Sequence, residues 1–560
     1  MSLQSKSLNR FLWIATTLLA LLFIVQSTNT YRLRWDLTEE KRYTISDQSI
    51  QLLQRLTGPL TVESYISGEL PSNFRRFEKA LADILDQLSI YSGGNLQYKF
   101  IDPSVATSAQ SRNQYYRSLI DQGLQPTNLT YTKNGERSEK LIFPGVIISY
   151  NGKQVPVSLL KGNRASQPEV MINESIEGLE YELISAIETL IKPNRPKVGL
   201  IVGHNEPDTS NLAGFTNAIL AKYDLFRLDL RERKQPILGY DVLVIAKPTE
   251  AFTENEKFWI DQFVMNGGKL LAFVDALSVD VRQAEGDGTV ALPYELNLED
   301  LFFRYGIRIN RDFVIDFNSG FFPGVLGNIG DQPRIELMPW PFFPVTTSFG
   351  NHPLTKGLDG IILKFASTID TVKAAGIIKT PLVLSSTYTN VLSPPVQVRF
   401  EDWIQGLNPD FFQGGQQVFG YLLEGPFSSL YKNRIIPKGV EAEGFKGQGV
   451  STKVIVVADG DMIRNDFNIQ SGEPLALGVD PYVRTTYANE EFLMRALSYL
   501  TDDDGLTLVR NKEIKIRPLD KVKIGEEKHF WIALNLVLPI GLVILFGLIK
   551  MMSRKRRFGR

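Results

Sequence analysis

The stretch KVGLIVGHNEPD, Lys197 to Asp208, is an apolar run that breaks into a glycine, a histidine and two acids. It places His204, one of three histidines among 560 residues, two positions from Glu206. The run reads as a buried strand, and in doubly wound sheets ligands bind just beyond the carboxyl ends of strands. A His–Glu pair there could move protons or contribute to a metal site. One imidazole and one carboxylate are too few for a metal, and His352 and His529 lie far away along the chain. The plainer reading, a loop that packs against a neighbouring domain or meets a partner, is favoured over catalysis.

A second group of acids follows other apolar runs. Asp275 ends KLLAFVD, and Asp459, Asp461 and Asp466 follow KVIVV in ADGDMIRND. Carboxylates gathered at strand ends could hold a divalent cation through oxygen ligands. Their spacing matches no EF-hand loop. Helix capping and pairing with Arg464 is the simpler expectation, so no metal and no cofactor are assigned. The run Asp502 to Asp504 reads as a solvated turn. No G-x-x-x-x-G-K-[ST] phosphate loop and no G-x-S-x-G elbow occurs. The chain has no cysteine, which removes disulfides, thiolate ligands and cysteine nucleophiles.

The elements that must carry these residues are legible from periodicity. VGLIV, DVLVIA, KLLAFVD and KVIVVAD read as buried parallel strands with helices between them. TENEKFWIDQFVMNGG is a marked helix: Thr253 caps it, Glu256 stands three residues on, and Gly267-Gly268 stop it. The long segment at about 281–449, rich in Gly, Pro and aromatics, reads as a β-rich insertion. NEEFLMRALSYL closes the domain as a helix. Further upstream, a strand from Leu60, an amphipathic helix bearing Phe74, Phe77, Leu81, Ile84, Leu85 and Leu88, and the strand NLQYKF make a β-α-β unit of thioredoxin type. Without C-x-x-C it would be redox-inert. A hairpin turns at Asn151-Gly152, and a long helix is expected from Asn173, with Ser175 near its start.

The two ends differ from the middle. Phe11 to Tyr31 and Phe530 to Ile549 carry no charge and are long enough to cross a bilayer. The basic tail after Lys550, with Lys6 and Arg10 at the other end, predicts two spans with both termini cytoplasmic and the bulk in the periplasm. Trp13 and Trp531 fit interfacial anchors. A cleaved signal peptide ending near Val25-Gln26-Ser27 is the rival reading of the first run. Asn535 in the second run reads either as a contact to another membrane helix or as a polar residue near the interface, and Pro539 is tolerated where neighbouring helices or waters satisfy the freed carbonyl. The expected organisation is a first span to residue 31, a stem and first α/β domain at 32–195, a second α/β domain at 196–505, a stem at 506–529, a second span at 530–549 and a tail at 550–560. Hydrophobic content of 43% and a net charge of -1 describe a folded protein without a nucleic-acid surface.

RWDLTEEKRYTIS (Arg34 to Ser46), YISGELPSNFRRFEKA, YKFIDP, VGLIVGHNEPD, MPWPFFP (Met338 to Pro344), NHPLTKGLDGIILKFASTID and VVADGDMIRND occur in this order. Together they closely resemble the gliding-motility-associated ABC-transporter auxiliary component G of Bacteroidetes-type bacteria, nearly end to end. The resemblance implies an accessory, nominally substrate-binding membrane subunit that works with a separate permease and a separate cytoplasmic ATPase. It also implies that the middle domain has the flavodoxin-like core of class I glutamine amidotransferases, also seen in an intraflagellar-transport protein. Those enzymes need a cysteine that this chain lacks, so the fold is expected to persist without the chemistry. Mechanical coupling between ATPase motion and the outer domains is the favoured role, with Arg34, Asp36, Arg42 and Asn535 as partner contacts. A solute- or glycan-binding subunit, with its pocket at His204, Glu206, Asp275, Asp459 and Asp461, is the alternative. An amidohydrolase ranks last.

Overall fold

The computed structural model describes residues 13, 15–20, 44–105, 108–133, 136–160, 168–192, 194–231, 233, 235–285, 288–329, 332–404, 406–440, 443–502, 505–506, 509 and 527–558. Two compact units emerge, one of residues 43–512 and one of the two chain ends. Arg34, Asp36 and Arg42 lie outside the described residues.

The first part of the larger unit holds a four-stranded sheet in the order Leu96–Phe100, Leu60–Ser64, Gly145–Tyr150, Lys153–Ser158. The first pair is parallel and joined by the helix Ser72–Tyr91, a β-α-β unit; the other pairs are antiparallel. Phe74, Phe77, Leu81, Leu85 and Leu88 recur at helical spacing and are buried against the sheet, while Ile84 is only half-buried. Asn151 and Gly152 turn the hairpin with positive φ, as a tight two-residue turn requires. The helix expected from Asn173 begins five residues earlier, at Pro168, and runs to Ile191. Ser175 therefore lies within it, and its hydroxyl donates to Met171 O at 2.7 Å. Leu506 and Val509 are buried in this first core.

The second part is built on an eight-stranded sheet. Five strands are parallel, in the spatial order Asp224–Asp229, Lys197–Val202, Val242–Ala246, Lys269–Phe273, Gln448–Val457. By sequence this order is 2-1-3-4-5, with the topological switch point between the first and third strands. Alternate residues face opposite sides. Val198, Leu200, Val244 and Ile455 pack with the helices Ala213–Leu220 and Asn489–Leu500, and Ile201, Leu243, Ile245 and Val456 pack with the helix Glu254–Met265. Burial on both faces explains why these strands read as unbroken apolar runs.

The insertion is β-rich, and its role is larger than its irregular composition suggests. Val418–Ser428, Ile378–Leu384 and Ser348–Phe349 continue the central sheet antiparallel beyond Gln448–Val457. A long hairpin, Ser319–Ile329 with Gln332–Thr346, carries MPWPFFP into a separate aromatic core where Trp340, Phe342 and Phe343 are buried.

In the smaller unit, the helix Lys528–Phe558 contains a stretch, Phe530–Arg556, long and apolar enough to cross a membrane. Its 31 residues span about 46 Å, against about 30 Å of hydrocarbon. Asn535 and Pro539 lie inside it, and Asn535 is exposed.

Candidate functional site

His204 follows the first parallel strand, at the switch point, yet it lies beneath the surface rather than on a rim: it is 2% exposed. Its ring stacks on Phe252 with centroids 3.6 Å apart and planes 12° off parallel. Nδ1 is 3.3 Å from Glu206 Oε1. Nε2 is 3.3 Å from Glu256 Oε2, close enough for an ion pair but off the line of a hydrogen bond. Burial disfavours the imidazolium, and the two flanking carboxylates outweigh it, raising the His204 pKa to about 9. Both glutamates are held below the usual range: burial opposes their charge, and the imidazolium and backbone N–H groups overcome it.

The loop is fastened from several sides. Gly203 N and His204 N donate to Glu206 Oε2 at 2.9 and 3.0 Å. Thr249 N and Glu250 N donate to His204 O at 2.9 and 3.1 Å. Glu256 also completes the capping box of the Glu254–Met265 helix, accepting from Thr253 N at 2.7 Å. The histidine thus ties the first strand to the cap of a helix 50 residues on. The local sequence shows Glu206 but not Glu256, whose partnership depends on the fold.

The second group comes together as well. Asp275, Asp459 and Asp461 offer oxygens within 4.8 Å of one another. The sequence reading missed their counter-ion, Lys247, which follows the Val242–Ala246 strand. Its ammonium bridges Asp275 and Asp461, the latter at 2.7 Å. Asp459 Oδ1 accepts from Asp461 N and Met462 N at 2.7 and 3.1 Å, and Arg464 Nη1 donates to Asp461 at 2.7 Å. Burial and the neighbouring acids push Asp459 well above the carboxylate range. Asp461 is also penalised by burial, yet Lys247 and Arg464 hold it down at about 2. The oxygens that could receive a divalent cation therefore already face an ammonium belonging to the chain. Asp466 stands apart, its two oxygens each 3.0 Å from Lys364 Nζ. The two groups are linked through the segment Lys247–Glu250, which touches the acids at one end and His204 at the other, and through Asn211, whose side-chain oxygen accepts from Arg464 Nη2 at 3.1 Å.

Beside Asp461 and Arg464 opens a cavity of about 240 Å³. Six non-glycine residues among those described have positive φ. Asn151, Asn205 and Asn297 are of the type that tolerates it; Lys247 (49°), Phe365 (58°) and Arg484 (55°) are not. Of these, Phe365 alone lines the cavity. Lys247 holds its Asp461, and Arg484 lies in sequence between the lining residues Tyr482 and Tyr487. Such backbone costs about 1–3 kcal/mol at each position and persists only where surrounding structure enforces it.

A family model described as an ABC-type uncharacterized transport system matches residues 195–496, which include the whole central sheet and both groups of side chains. The chain belongs to this family of ABC-transport auxiliary components, and membership implies partner transporter subunits. A domain of unknown function matches residues 39–149. No curated protein matches. Among solved structures, the chain is similar to the mmIFT52 N-terminal domain, with 13% identity, 55% of this chain and 98% of that one covered, and a TM-score of 0.31. It is also similar to a putative thua-like protein from Parabacteroides merdae, with 11% identity, coverage of 55% and 91%, and a TM-score of 0.26. Scores this low carry no argument about fold or function.

Proposed function

We propose that this chain is a non-catalytic accessory subunit of an ABC transport system associated with gliding motility. In this reading it couples the motion of a permease and a separate cytoplasmic ATPase to a periplasmic body. Family membership carries the proposal, supported by the helix stretch Phe530–Arg556, long and apolar enough to cross a membrane. Both termini would be cytoplasmic, with a first span in residues 11–31 and the second at 530–549. We read the first sheet as thioredoxin-like and the 2-1-3-4-5 sheet as flavodoxin-like, the amidotransferase core without its cysteine. His204 is enclosed by Phe252 and two carboxylates, which suits a structural clamp better than turnover.

Asn535 would face a permease helix, since a side-chain amide gains a partner there that lipid does not offer. The charged stem with Arg34, Asp36 and Arg42 would meet the permease's outer surface. Co-purification in detergent tests the reading: Asn535→Leu is expected to reduce recovery of the permease and ATPase severalfold at unchanged expression. Undiminished recovery would remove the span contact, and absence of any transporter subunit alongside the wild-type chain would remove the function.

A further inference from the structure

The cavity beside Asp461 has a lining divided by chemistry. On one side Phe322 touches Phe343 edge-on and Phe343 touches Phe365, and Phe321 and Ile362 complete an apolar wall. On the other side opposite charges pair with each other: Lys364 with Asp466, and Arg464 with Asp461. Lys364 stands at the seam, its ammonium 5.4 Å above the Phe343 ring. The charged groups are reachable from solvent, with Arg464 and Asp466 each 41% exposed and Lys364 24%.

This lining selects a ligand class. It carries two cations, Lys364 and Arg464, and three carboxylates, Asp461, Asp466 and Asp480. Asp480 accepts from Tyr482 N and Val483 N and Asp461 is held by Lys247, which leaves Asp466 as the anion and Lys364 and Arg464 as the cations that a ligand can meet. A ligand carrying both an ammonium and a carboxylate can offer the first to Asp466 and the second to Arg464 and Lys364, with charge-assisted bonds at both ends. The phenylalanine wall asks that the rest of the ligand be apolar. A polyol would set hydroxyls against that wall without partners. At about 240 Å³ the cavity is below the roughly 300–1,000 Å³ of clefts for larger ligands, and suits one amino acid rather than a peptide. The strained backbone at Phe365, which lines the cavity, is the second observation, since enforced φ values gather at ligand clamps.

We propose that this cavity binds a free α-amino acid with a large apolar side chain, with Asp466 receiving the ammonium and Arg464 and Lys364 the carboxylate. The site is separate from the His204 clamp and does not depend on the coupling role.

Calorimetric titration of the full-length protein in detergent tests it, using phenylalanine and leucine, phenethylamine and 3-phenylpropionate as half-charged analogues, and glucose as the polyol. Phenylalanine or leucine is expected to bind, each half-charged analogue at least about tenfold more weakly, and glucose not at all. The double variant K364Q/D466N keeps the net charge and alters a partly exposed pair, so its unfolding midpoint should stay near that of wild type while phenylalanine binding is lost. Equal binding of the analogues, preference for glucose, no binding of either amino acid, or undiminished binding by a folded K364Q/D466N would overturn the proposal.

Discussion

At the scale of single residues, the His204 clamp makes stability depend on pH in a defined direction. The folded protein holds the imidazolium proton up to about pH 9, against an ordinary value of 6.5. A raised folded pKa contributes its full stabilisation below the unfolded value and loses it as pH rises through the folded one. Stability from this group is therefore present below about pH 6.5 and is lost towards pH 9, a change of about 3 kcal/mol. The difference in unfolding free energy between wild type and His204→Gln is expected to narrow by about that amount between about pH 6 and about pH 10. Denaturant titrations at the two pH values measure it, and a constant difference would show that the ring is neutral. Only half of this clamp was legible in advance. Glu206 adjoins His204 in sequence, but Glu256 and Phe252 come from a segment about 50 residues on. Lys247 was invisible for the same reason, with the added obstacle that its positive φ is not a lysine habit.

At the scale of elements, legibility followed burial. The parallel strands, buried on both faces, announced themselves as apolar runs, and Thr253 with Glu256 marked a helix start that the capping box reproduces. The antiparallel strand Ile378–Leu384 is buried only at Leu382 and Val383, Val418–Ser428 mixes buried and half-buried positions without regular alternation, and glycine and proline interrupt them. Their place in the central sheet is set by long-range pairing, which local pattern does not encode. Gly350 shows how closely that added edge is packed. A Cβ there would stand 1.7 Å from Pro381 O, while Gly350 N donates to Leu382 O at 3.1 Å. Gly350→Ala is expected to destabilise by about 2–4 kcal/mol, because backbone rather than a side chain would have to move. Gly360→Ala, whose Cβ meets nothing nearer than 3.6 Å, is the matched control and should cost about 1 kcal/mol or less. Urea unfolding of both variants distinguishes a packing effect from loss of glycine as such.

At the scale of the whole molecule, every hydrophobic cluster among the described residues lies between Ile45 and Val509. That interval falls inside the compact unit of residues 43–512. A fragment of residues 43–512 is accordingly expected to fold without detergent and to unfold within about 3 °C of the full-length chain, since removing the apolar helix takes away no part of these cores. Differential scanning calorimetry checks this, and a fragment that aggregates or melts far lower would show that the ends contribute to the folded body. Lys247 has a consequence for a protein of this kind. Acids gathered around a captured ion make folding follow the supply of that ion. Here the balancing charge is synthesised with the chain and delivered by the same strand that frames the acids. The ends of three parallel strands are thereby joined beside the cavity by a charge that the chain itself carries.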